Sequence, residues 1–172
     1  FMVERMLNLN SDAQTVVICG RNDELKQRIL QLVDNQSSRF KVLGYTDEMH
    51  KLMKMADIFI GKPGGMTTSE AIACGLPMCV VSPIPGQEER NSDHLLEEGI
   101  AVKCNDLTTL PFKLERLLED PDRLARMKAN ALRFAKPTAS TTIVNTLLED
   151  RLPPLSFTKD QRAAIALAAG PE

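Results

Sequence analysis

Short apolar runs alternate with longer stretches of helical periodicity along most of the chain. The runs are four to six residues long, and the run at 14–19 (QTVVIC) is rich in β-branched residues, which is typical of a strand buried on both faces. The runs that predict strands are 14–19 (QTVVIC), 40–44 (FKVLG), 57–60 (DIFI), 78–81 (MCVV) and 100–103 (IAVK). Strands separated in this way by helices imply a parallel, doubly wound sheet, so the fold class is α/β.

The helices between and after these strands are predicted from apolar spacing and from start and stop signals. Asp23 and Thr46 are the expected N-caps of two of them, and Pro121 takes the favoured first-turn position after Asp120. The predicted helices cover 1–9, 23–33, 46–56, 67–75, 92–99, 107–119, 121–135 and 137–150.

Length and composition place the chain among soluble globular proteins. Its 172 residues allow one core, over 1–150, followed by a stiff Pro153-Pro154 linker and a small helix over 151–172. The net charge of −2 gives no general attraction to nucleic acid. The four cysteines form no CxxC pair, which favours buried, reduced thiols in a cytoplasmic protein. No apolar run approaches the ~18 residues of a membrane span.

The candidate chemistry is concentrated in residues 61–91, GKPGGMTTSEAIACGLPMCVVSPIPGQEERN. The paired Gly64 and Gly65 allow positive φ and let a ligand approach the backbone closely. A helix then begins, and its free N–H groups suit a phosphate. The amides of Gly65, Met66 and Thr67, with the hydroxyl of Thr67 or Thr68, are the expected ligands of a diphosphate.

Glu70 has two interpretations. It could accept hydrogen bonds from both hydroxyls of a ribose, or it could complete a capping box by returning to the Thr67 amide. The polar stretch after the 78–81 strand favours the first. Its side chains Gln87, Glu88, Glu89 and Asn91 offer the donors and acceptors that a sugar needs. The alternative for this stretch is an ordinary solvated loop and helix start.

A second polar turn, Gly20-Arg21-Asn22, follows the first predicted strand. Strand ends of this kind bind ligands in open α/β sheets, so the turn is well placed for an anionic donor. A tight turn with a solvated arginine is the alternative. The two histidines, His50 and His94, are interpreted as surface and structural residues, because neither has a visible partner carboxylate and nucleophile.

The motifs GKPGGMTTSEA and GLPMCVVSPIPGQEERN resemble the donor-binding domain of the processive diacylglycerol glycosyltransferases and the monogalactosyldiacylglycerol synthases. They are similar, less closely, to the N-acetylglucosaminyltransferase of peptidoglycan-precursor synthesis. The resemblance implies a GT-B glycosyltransferase with two facing Rossmann-like domains, of which this chain is the C-terminal one. It also implies an inverting reaction, a UDP-sugar donor, and no metal or cofactor. In the family a first strand and a glycine-rich loop precede the helix with which this chain starts.

The resemblance also assigns site residues. The backbone around Tyr45 would read the uracil, and the catalytic base and lipid-binding surface would lie on the missing N-terminal domain. No catalytic residue is therefore expected in this chain, which by itself should be inactive. The expected donor-binding residues are Gly20, Arg21, Asn22, Tyr45, Lys62, Gly64, Gly65, Met66, Thr67, Thr68, Glu70, Pro85, Gly86, Gln87, Glu88 and Asn91.

Two classes of function follow. The first is the donor half of a hexosyltransferase acting on diacylglycerol, in a full-length cytoplasmic protein that contacts the inner face of the membrane peripherally. The second is a non-catalytic nucleotide-sugar binding module, or a subunit completed by another chain. A peptidoglycan-precursor-type transferase half is a variant of the first. An acceptor domain distinguishes the classes, and the 172 residues show none.

Overall fold

The computed structural model of the chain describes residues 2–149. Strands and helices alternate through its first part, and helices alone follow the last strand. The strands are β1 (Thr15–Ile18), β2 (Phe40–Leu43), β3 (Phe59–Gly61), β4 (Met78–Val81) and β5 (Ala101–Cys104). The helices are α1 (Met2–Met6), α2 (Asp23–Leu32), α3 (Met49–Met55), α4 (Gly65–Ala73), α5 (Gln87–Glu97), α6 (Leu110–Leu118), α7 (Pro121–Phe134) and α8 (Ala139–Glu149).

All strand pairs among the described residues are parallel, which confirms the predicted α/β class. The strands form two sheets, however, not one. One sheet has the order β1-β2, with Thr15 opposite Phe40. The other has the order β3-β4-β5, with Met78 opposite both Phe59 and Ala101. Within residues 2–149, the backbone edges of β1 and β3 that do not face these partners therefore pair with no strand.

Strand β4 joins the two hydrophobic cores, because successive side chains of a strand point to opposite faces. Cys79 and Val81 belong to a core that also contains residues of α1, α2, α6 and the β1-β2 sheet. Met78 and Val80 belong to a second core, made with α3, α4, α5 and α7. Both sheets thus share the first core, whereas the second core covers only the three-stranded sheet.

The prediction that the first strand is buried on both faces is wrong. Val16, in the middle of β1, is 48% exposed, and its neighbours in the strand are only half-buried. Three of the four strand residues are apolar, but β1 has one strand neighbour and one covered face. Burial is decided by those neighbours and not by the composition of the strand itself.

The N-caps of two helices differ from the predictions. The N-cap of α2 is Asn22 and not Asp23, and its Oδ1 accepts the Leu25 amide at 2.9 Å. Thr46 does not cap α3, which begins at Met49, because its hydroxyl instead accepts the Glu48 amide. The first-turn position of Pro121 is confirmed, and the Asp120 side chain caps the same helix by accepting the Arg123 amide at 2.8 Å.

The remaining boundary differences are small except at α5, which begins five residues before the predicted position of 92. A 3₁₀ turn at Leu107–Thr109 precedes α6, so the predicted helix 107–119 is divided. The chain divides into two compact units, Phe1–Ala135 and Lys136–Glu172, and α8 belongs to the second. The linker and helix expected at 151–172 lie outside the described residues.

All four cysteines are free, and three of them are buried. Burial raises the pKa of the Cys79 thiol to about 12, so that this thiol is protonated and unreactive at neutral pH. Within residues 2–149, no group of three His, Cys, Asp or Glu side chains is arranged to hold a metal ion. No helix in the same range is long and apolar enough to cross a membrane.

Candidate functional site

The carboxyl ends of β1 and β2 present Arg21 and Tyr45. Gly20 follows β1 with φ of 60°, a left-handed conformation that glycine adopts without strain, and it turns the chain toward α2. The Arg21 guanidinium lies over the Tyr45 ring, 4.9 Å from its centroid. Both side chains are exposed, and they form a flat, cationic surface. Asn22 is exposed beside them, but its side-chain oxygen already caps α2.

Lys26 adds a cation at the same place, which the sequence analysis missed. It lies on the second turn of α2, and its Nζ is 3.8 Å from the position that a Cβ of Gly44 would take. That position is also 3.5 Å from the Gly20 carbonyl oxygen, so Lys26 lies near both strand ends. The sequence did contain a signal for Lys26, because it follows Asn22 by four residues, or one helical turn, and so lies on the same face of the helix.

The amino end of α4 is open. Gly64 is its N-cap, and the first helical hydrogen bond runs from the Thr68 amide to the Gly64 carbonyl at 2.8 Å. The amides of Gly65, Met66 and Thr67 therefore have no acceptor within the helix, as predicted for an anion site. The positive φ that these glycines allow is not used, because Gly64 has φ of −62° and Gly65 is helical. Their contribution is space, because a Cβ on Gly64 would meet no atom within 4 Å.

Glu70 does not cap α4, so the capping-box interpretation is wrong for this structure. The helix begins at Gly65, which places Glu70 more than one turn inside it, and no side chain makes a cap hydrogen bond. The Glu70 side chain is exposed. The hydroxyl of the neighbouring Ser69 already has a partner within the helix, because it donates to the Gly65 carbonyl at 2.9 Å.

The two threonines of α4 differ in accessibility. Thr68 is 8% exposed, and its Oγ1 is fully buried with no hydrogen-bond partner. Thr67 is partly exposed at the open end of the helix. Of the two hydroxyls that the sequence left open, Thr67 is therefore the one that a ligand can reach without rearrangement of α4.

Two carboxylates from the first turn of α5 bind backbone amides of the segment between β4 and α5. Glu88 Oε2 accepts the Ile84 amide at 2.7 Å, and Glu89 Oε2 accepts the Gly86 amide at 3.4 Å. Gly86 has φ of 99° and ψ of −109°, a conformation open essentially to glycine alone. Gln87, Glu88, Glu89 and Asn91, predicted to lie in a loop, are instead the first residues of α5.

Ser82 was not predicted as a site residue. It follows β4 directly, and among residues 2–149 it is the only non-glycine residue with positive φ, at 44°. The left-handed conformation costs a residue with a Cβ about 1–2 kcal/mol. Strain of this kind is concentrated where function requires a fixed backbone.

The amino ends of α4 and α5 are held together. Asn91 Nδ2 donates to the Pro63 carbonyl at 2.8 Å, which ties α5 to the segment before α4. Gln87 Nε2 lies 3.8 Å from the position of a Cβ on Gly65. Lys62 and Pro85 are exposed on the two connecting segments. The structure thus places the helix mouth and the polar start of α5 side by side.

Two cavities among residues 2–149 lie elsewhere, at the amino ends of the strands. One, of about 60 Å³, is lined by residues that include Asp57, Cys74 and Pro77. The other, of about 370 Å³, is lined by residues that include Ala101, Arg123 and Asn130. Because α/β sheets bind ligands at the carboxyl ends of their strands, we assign function to the open surface at that end and not to these cavities.

The family of the chain follows from comparison with known proteins. The model of the family "Glycosyl transferases group 1" matches residues 3–134, so the chain belongs to the group 1 glycosyl transferases. A similar curated relative is the processive diacylglycerol beta-glucosyltransferase of Bacillus cereus (strain AH187), which is 37% identical over 139 residues. The match covers 81% of this chain and 36% of the relative, so the chain spans about a third of the length of such relatives.

Solved structures support the fold. HepE (Alr3699) of Anabaena, crystallised in complex with UDP, matches with a TM-score of 0.61 at 20% identity, over 86% of this chain and 44% of that one. WaaG, a glycosyltransferase involved in lipopolysaccharide biosynthesis, matches with a TM-score of 0.62 at 15% identity, over 83% of this chain and 42% of that one. The fold is that of the Rossmann-like C-terminal half of a GT-B glycosyltransferase, as the sequence predicted.

Proposed function

We propose that the chain is the donor-binding half of an inverting, metal-independent transferase that moves a hexose from a UDP-sugar to diacylglycerol. The observation that carries the proposal is the open amino end of α4. It has three amides free of helical acceptors, at the carboxyl end of β3, with Gln87 beside Gly65. The names of the curated relatives, which are diacylglycerol glucosyltransferases, support the acceptor, and the UDP complex of a structural neighbour supports the nucleotide.

The diphosphate would bind at the α4 mouth. The amides of Gly65, Met66 and Thr67 donate to its oxygens, and the helix dipole adds a favourable field. Gly64 leaves the space for the ligand to approach. Lys62 and Arg21, both exposed near strand ends, supply positive charge from the side. Charge-assisted hydrogen bonds of this kind are about twice as strong as neutral ones.

The nucleoside would extend from the mouth along α4 and toward β2. Glu70, exposed and free of a capping role, accepts hydrogen bonds from the ribose hydroxyls. The uracil lies near the Tyr45 turn, where backbone groups read its edge and the Arg21–Tyr45 stack supplies a flat face. The 60% exposure of Tyr45 leaves its ring available to a ligand.

The hexose would lie on the side of α5. Gln87 is the principal expected contact, because it is exposed and close to the α4 mouth. Glu88 and Asn91 each make one bond within the protein, to Ile84 and Pro63, and each keeps further acceptor capacity for sugar hydroxyls. Pro85 and Gly86 would contact the sugar through the backbone.

In the proposed reaction, the acceptor hydroxyl attacks the anomeric carbon in line, and the bond to the UDP oxygen breaks with inversion. The negative charge that grows on the leaving diphosphate is stabilised by the α4 amides and the nearby cations. A base on the acceptor-binding part takes the proton of the attacking hydroxyl. We place that base, the lipid-binding surface and peripheral contact with the cytoplasmic face of the membrane on polypeptide outside these 172 residues.

We also propose that residues 1–150 form a domain completed by one more strand. A doubly wound sheet has the strand order 3-2-1-4-5-6. The observed β1-β2 sheet corresponds to strands 2 and 3 of that order, and the β3-β4-β5 sheet corresponds to strands 4, 5 and 6. In that order the absent strand lies between β1 and β3, whose facing edges carry no strand in the structure. The shared first core, which spans both sheets, supports this arrangement.

Calorimetric titration with UDP and UDP-glucose, each with and without EDTA, tests the proposal. We expect micromolar to millimolar affinity, equal in the presence of the chelator. A parallel assay follows transfer of radiolabelled glucose to diacylglycerol in micelles, and this chain alone should show none. Binding that depends on EDTA would contradict metal independence, and transfer by this chain would contradict the external base. A non-catalytic binding module would bind equally well but stay inactive when the full-length protein is assayed.

A further inference from the structure

The backbone of Ser82 is the least expected feature of the candidate site. Ser82 lies at the carboxyl end of β4, the central strand of its sheet, and has φ of 44°. We propose that Ser82 is a positioning residue for hexose recognition, which aims the segment Pro83–Gly86, called here the sugar loop, toward the mouth of α4. This inference rests on the proposed function, and it states that the backbone of Ser82 determines the orientation of Gln87.

The strain at Ser82 is not offset locally. Asn and Asp are tolerated in this conformation partly because their side chains can bond the nearby backbone. Ser82 is exposed, and its hydroxyl makes no hydrogen bond with any residue in the described part of the chain. The conformation is therefore imposed from both sides of the residue, which is the condition under which strained backbone persists.

Those two sides can be identified. On the amino side, all four residues of β4 are buried, with Met78, Cys79 and Val80 at 0% exposure, so the strand cannot adjust. On the carboxyl side, Glu88 holds the Ile84 amide at 2.7 Å and Asn91 holds the Pro63 carbonyl at 2.8 Å. The chain therefore turns at Ser82 and Gly86, the two residues of the connection with positive φ, between a fully buried strand and a helix start that is held by single hydrogen bonds. Because the strand is the firmer of the two sides, a change at Ser82 would displace the sugar loop and the start of α5 and not β4.

The expected consequence concerns the sugar and not the nucleotide. Gln87 is the first residue of α5, and its amide nitrogen lies beside Gly65. A changed direction at Ser82 would move the sugar loop and Gln87 away from the α4 mouth. Arg21 and Tyr45 follow other strands, and the free amides of α4 follow β3, so the contacts proposed for UDP would remain.

Three substitutions distinguish an effect of the Ser82 backbone conformation from an effect of the Ser82 hydroxyl. Ser82→Thr keeps the hydroxyl but adds a Cβ branch that disfavours positive φ. Ser82→Ala removes the hydroxyl and tolerates the conformation about as well as serine. Ser82→Gly also removes the hydroxyl and adopts the conformation without strain. All three change an exposed position, so the fold should be retained, and Ser82→Gly should raise Tm.

We would measure two quantities for each variant. The first is the ratio of UDP-glucose affinity to UDP affinity by calorimetry, which Ser82→Thr should lower at least tenfold while Ser82→Ala and Ser82→Gly stay within threefold of wild type. The second is hydrogen exchange of the Ile84 amide by NMR without ligand. Ser82→Thr should accelerate it about tenfold, because the bond to Glu88 would be displaced.

The outcomes separate this inference from the proposed function. If Ser82→Ala lowers the ratio as much as Ser82→Thr, the hydroxyl contacts the sugar and the positioning role is overturned. An unchanged ratio in Ser82→Thr overturns it as well. If the wild type binds no UDP-sugar, the proposed function fails, and unchanged Ile84 exchange in Ser82→Thr would independently overturn the control of the loop by Ser82.

Discussion

Strands β1 and β4 have similar sequences, TVVI and MCVV, but very different surroundings. Every residue of β4 is buried, because β4 has a strand on each side and a core on each face. Val16 of β1 is about half exposed, and β1 has a single strand neighbour in the described part of the chain. The two halves of the candidate site therefore rest on strands that are unequally buried.

The unequal supports carry different parts of the proposed ligand. The three-stranded sheet leads into the α4 mouth and, through the sugar loop, into α5. The bond from Asn91 to the Pro63 carbonyl ties α5 to the segment before α4. The two-stranded sheet leads to Arg21 and Tyr45, which contact each other but are both exposed. We therefore expect the phosphate and sugar contacts to be pre-organised and the base contacts to contribute less. The predictions below test this difference, beginning with the largest effect.

The first prediction compares two valines. Val80→Ala removes two methyl groups from a fully buried site in β4 and should lower the free energy of unfolding by about 2–3 kcal/mol, from lost transfer energy and the cavity that remains. The matched Val16→Ala in β1 should cost within about 0.5 kcal/mol. Urea denaturation of both variants measures the difference. Equal costs would show that β1 is covered as fully as β4, and that the comparison is wrong.

The unequal burial also shows what the sequence could and could not predict. Strand β4 was predicted with its observed ends, Met78 and Val81, because an apolar run between Pro77 and the next loop has one interpretation. The half-exposed face of β1 was not predictable, because a strand's own residues do not show how many neighbours it has. The division into two sheets was missed for the same reason.

The second prediction concerns Glu70 on α4. If Glu70 holds the ribose, Glu70→Gln should weaken UDP binding by roughly 1–3 kcal/mol, the contribution of hydrogen bonds to a charged group. Thermal stability should hardly change, since Glu70 caps nothing. Glu97→Gln, at an exposed position near the end of α5, is the matched control and should leave affinity unchanged. A loss of Tm in Glu70→Gln without a loss of affinity would assign Glu70 a purely structural role.

The third prediction concerns the sugar side of the same half. Gln87→Ala should weaken UDP-glucose binding by about 0.5–1.5 kcal/mol, the net value of a neutral hydrogen bond, and leave UDP binding unchanged. Glu88→Ala should give a similar loss and should also lower stability, because it releases the Ile84 amide. Calorimetry with both ligands distinguishes these cases. Equal losses for UDP and UDP-glucose would place Gln87 at the nucleotide and not at the sugar.

The candidate site was predictable in its residue types but less so in its geometry. The free amides at Gly65, Met66 and Thr67 followed from the turn sequence before a helix. The start of α5 at Gln87 did not, because Gly86 reads equally well as part of a loop and as the residue before a helix. Nor does sequence distinguish Thr67 from the buried Thr68, since only packing against other helices decides which hydroxyl is reached.

The smallest effect is expected at Tyr45, in the two-stranded half. Tyr45→Ala removes the ring beneath Arg21, and an exposed cation–π contact contributes about 0.5–1 kcal/mol. The loss of UDP affinity should therefore be about two- to fivefold, below that of Glu70→Gln. Tyr45→Phe keeps the ring face and is the matched control, with affinity expected within twofold of wild type.

Substitution of Tyr45 also distinguishes pre-organisation of the two-stranded half from direct contact between Tyr45 and the nucleotide. Because the Tyr45 ring is exposed and its contact with Arg21 contributes at most about 1 kcal/mol, Tyr45→Ala should lower Tm only slightly, and a larger loss of affinity would report the ligand side. If the two-stranded half is ordered by the nucleotide on binding, UDP should slow hydrogen exchange at Val16 and Val17 of β1 more than at Cys79 and Val80 of β4. A Tyr45→Ala loss larger than that of Glu70→Gln would reverse the order, and would make the less covered half the principal support of the nucleotide.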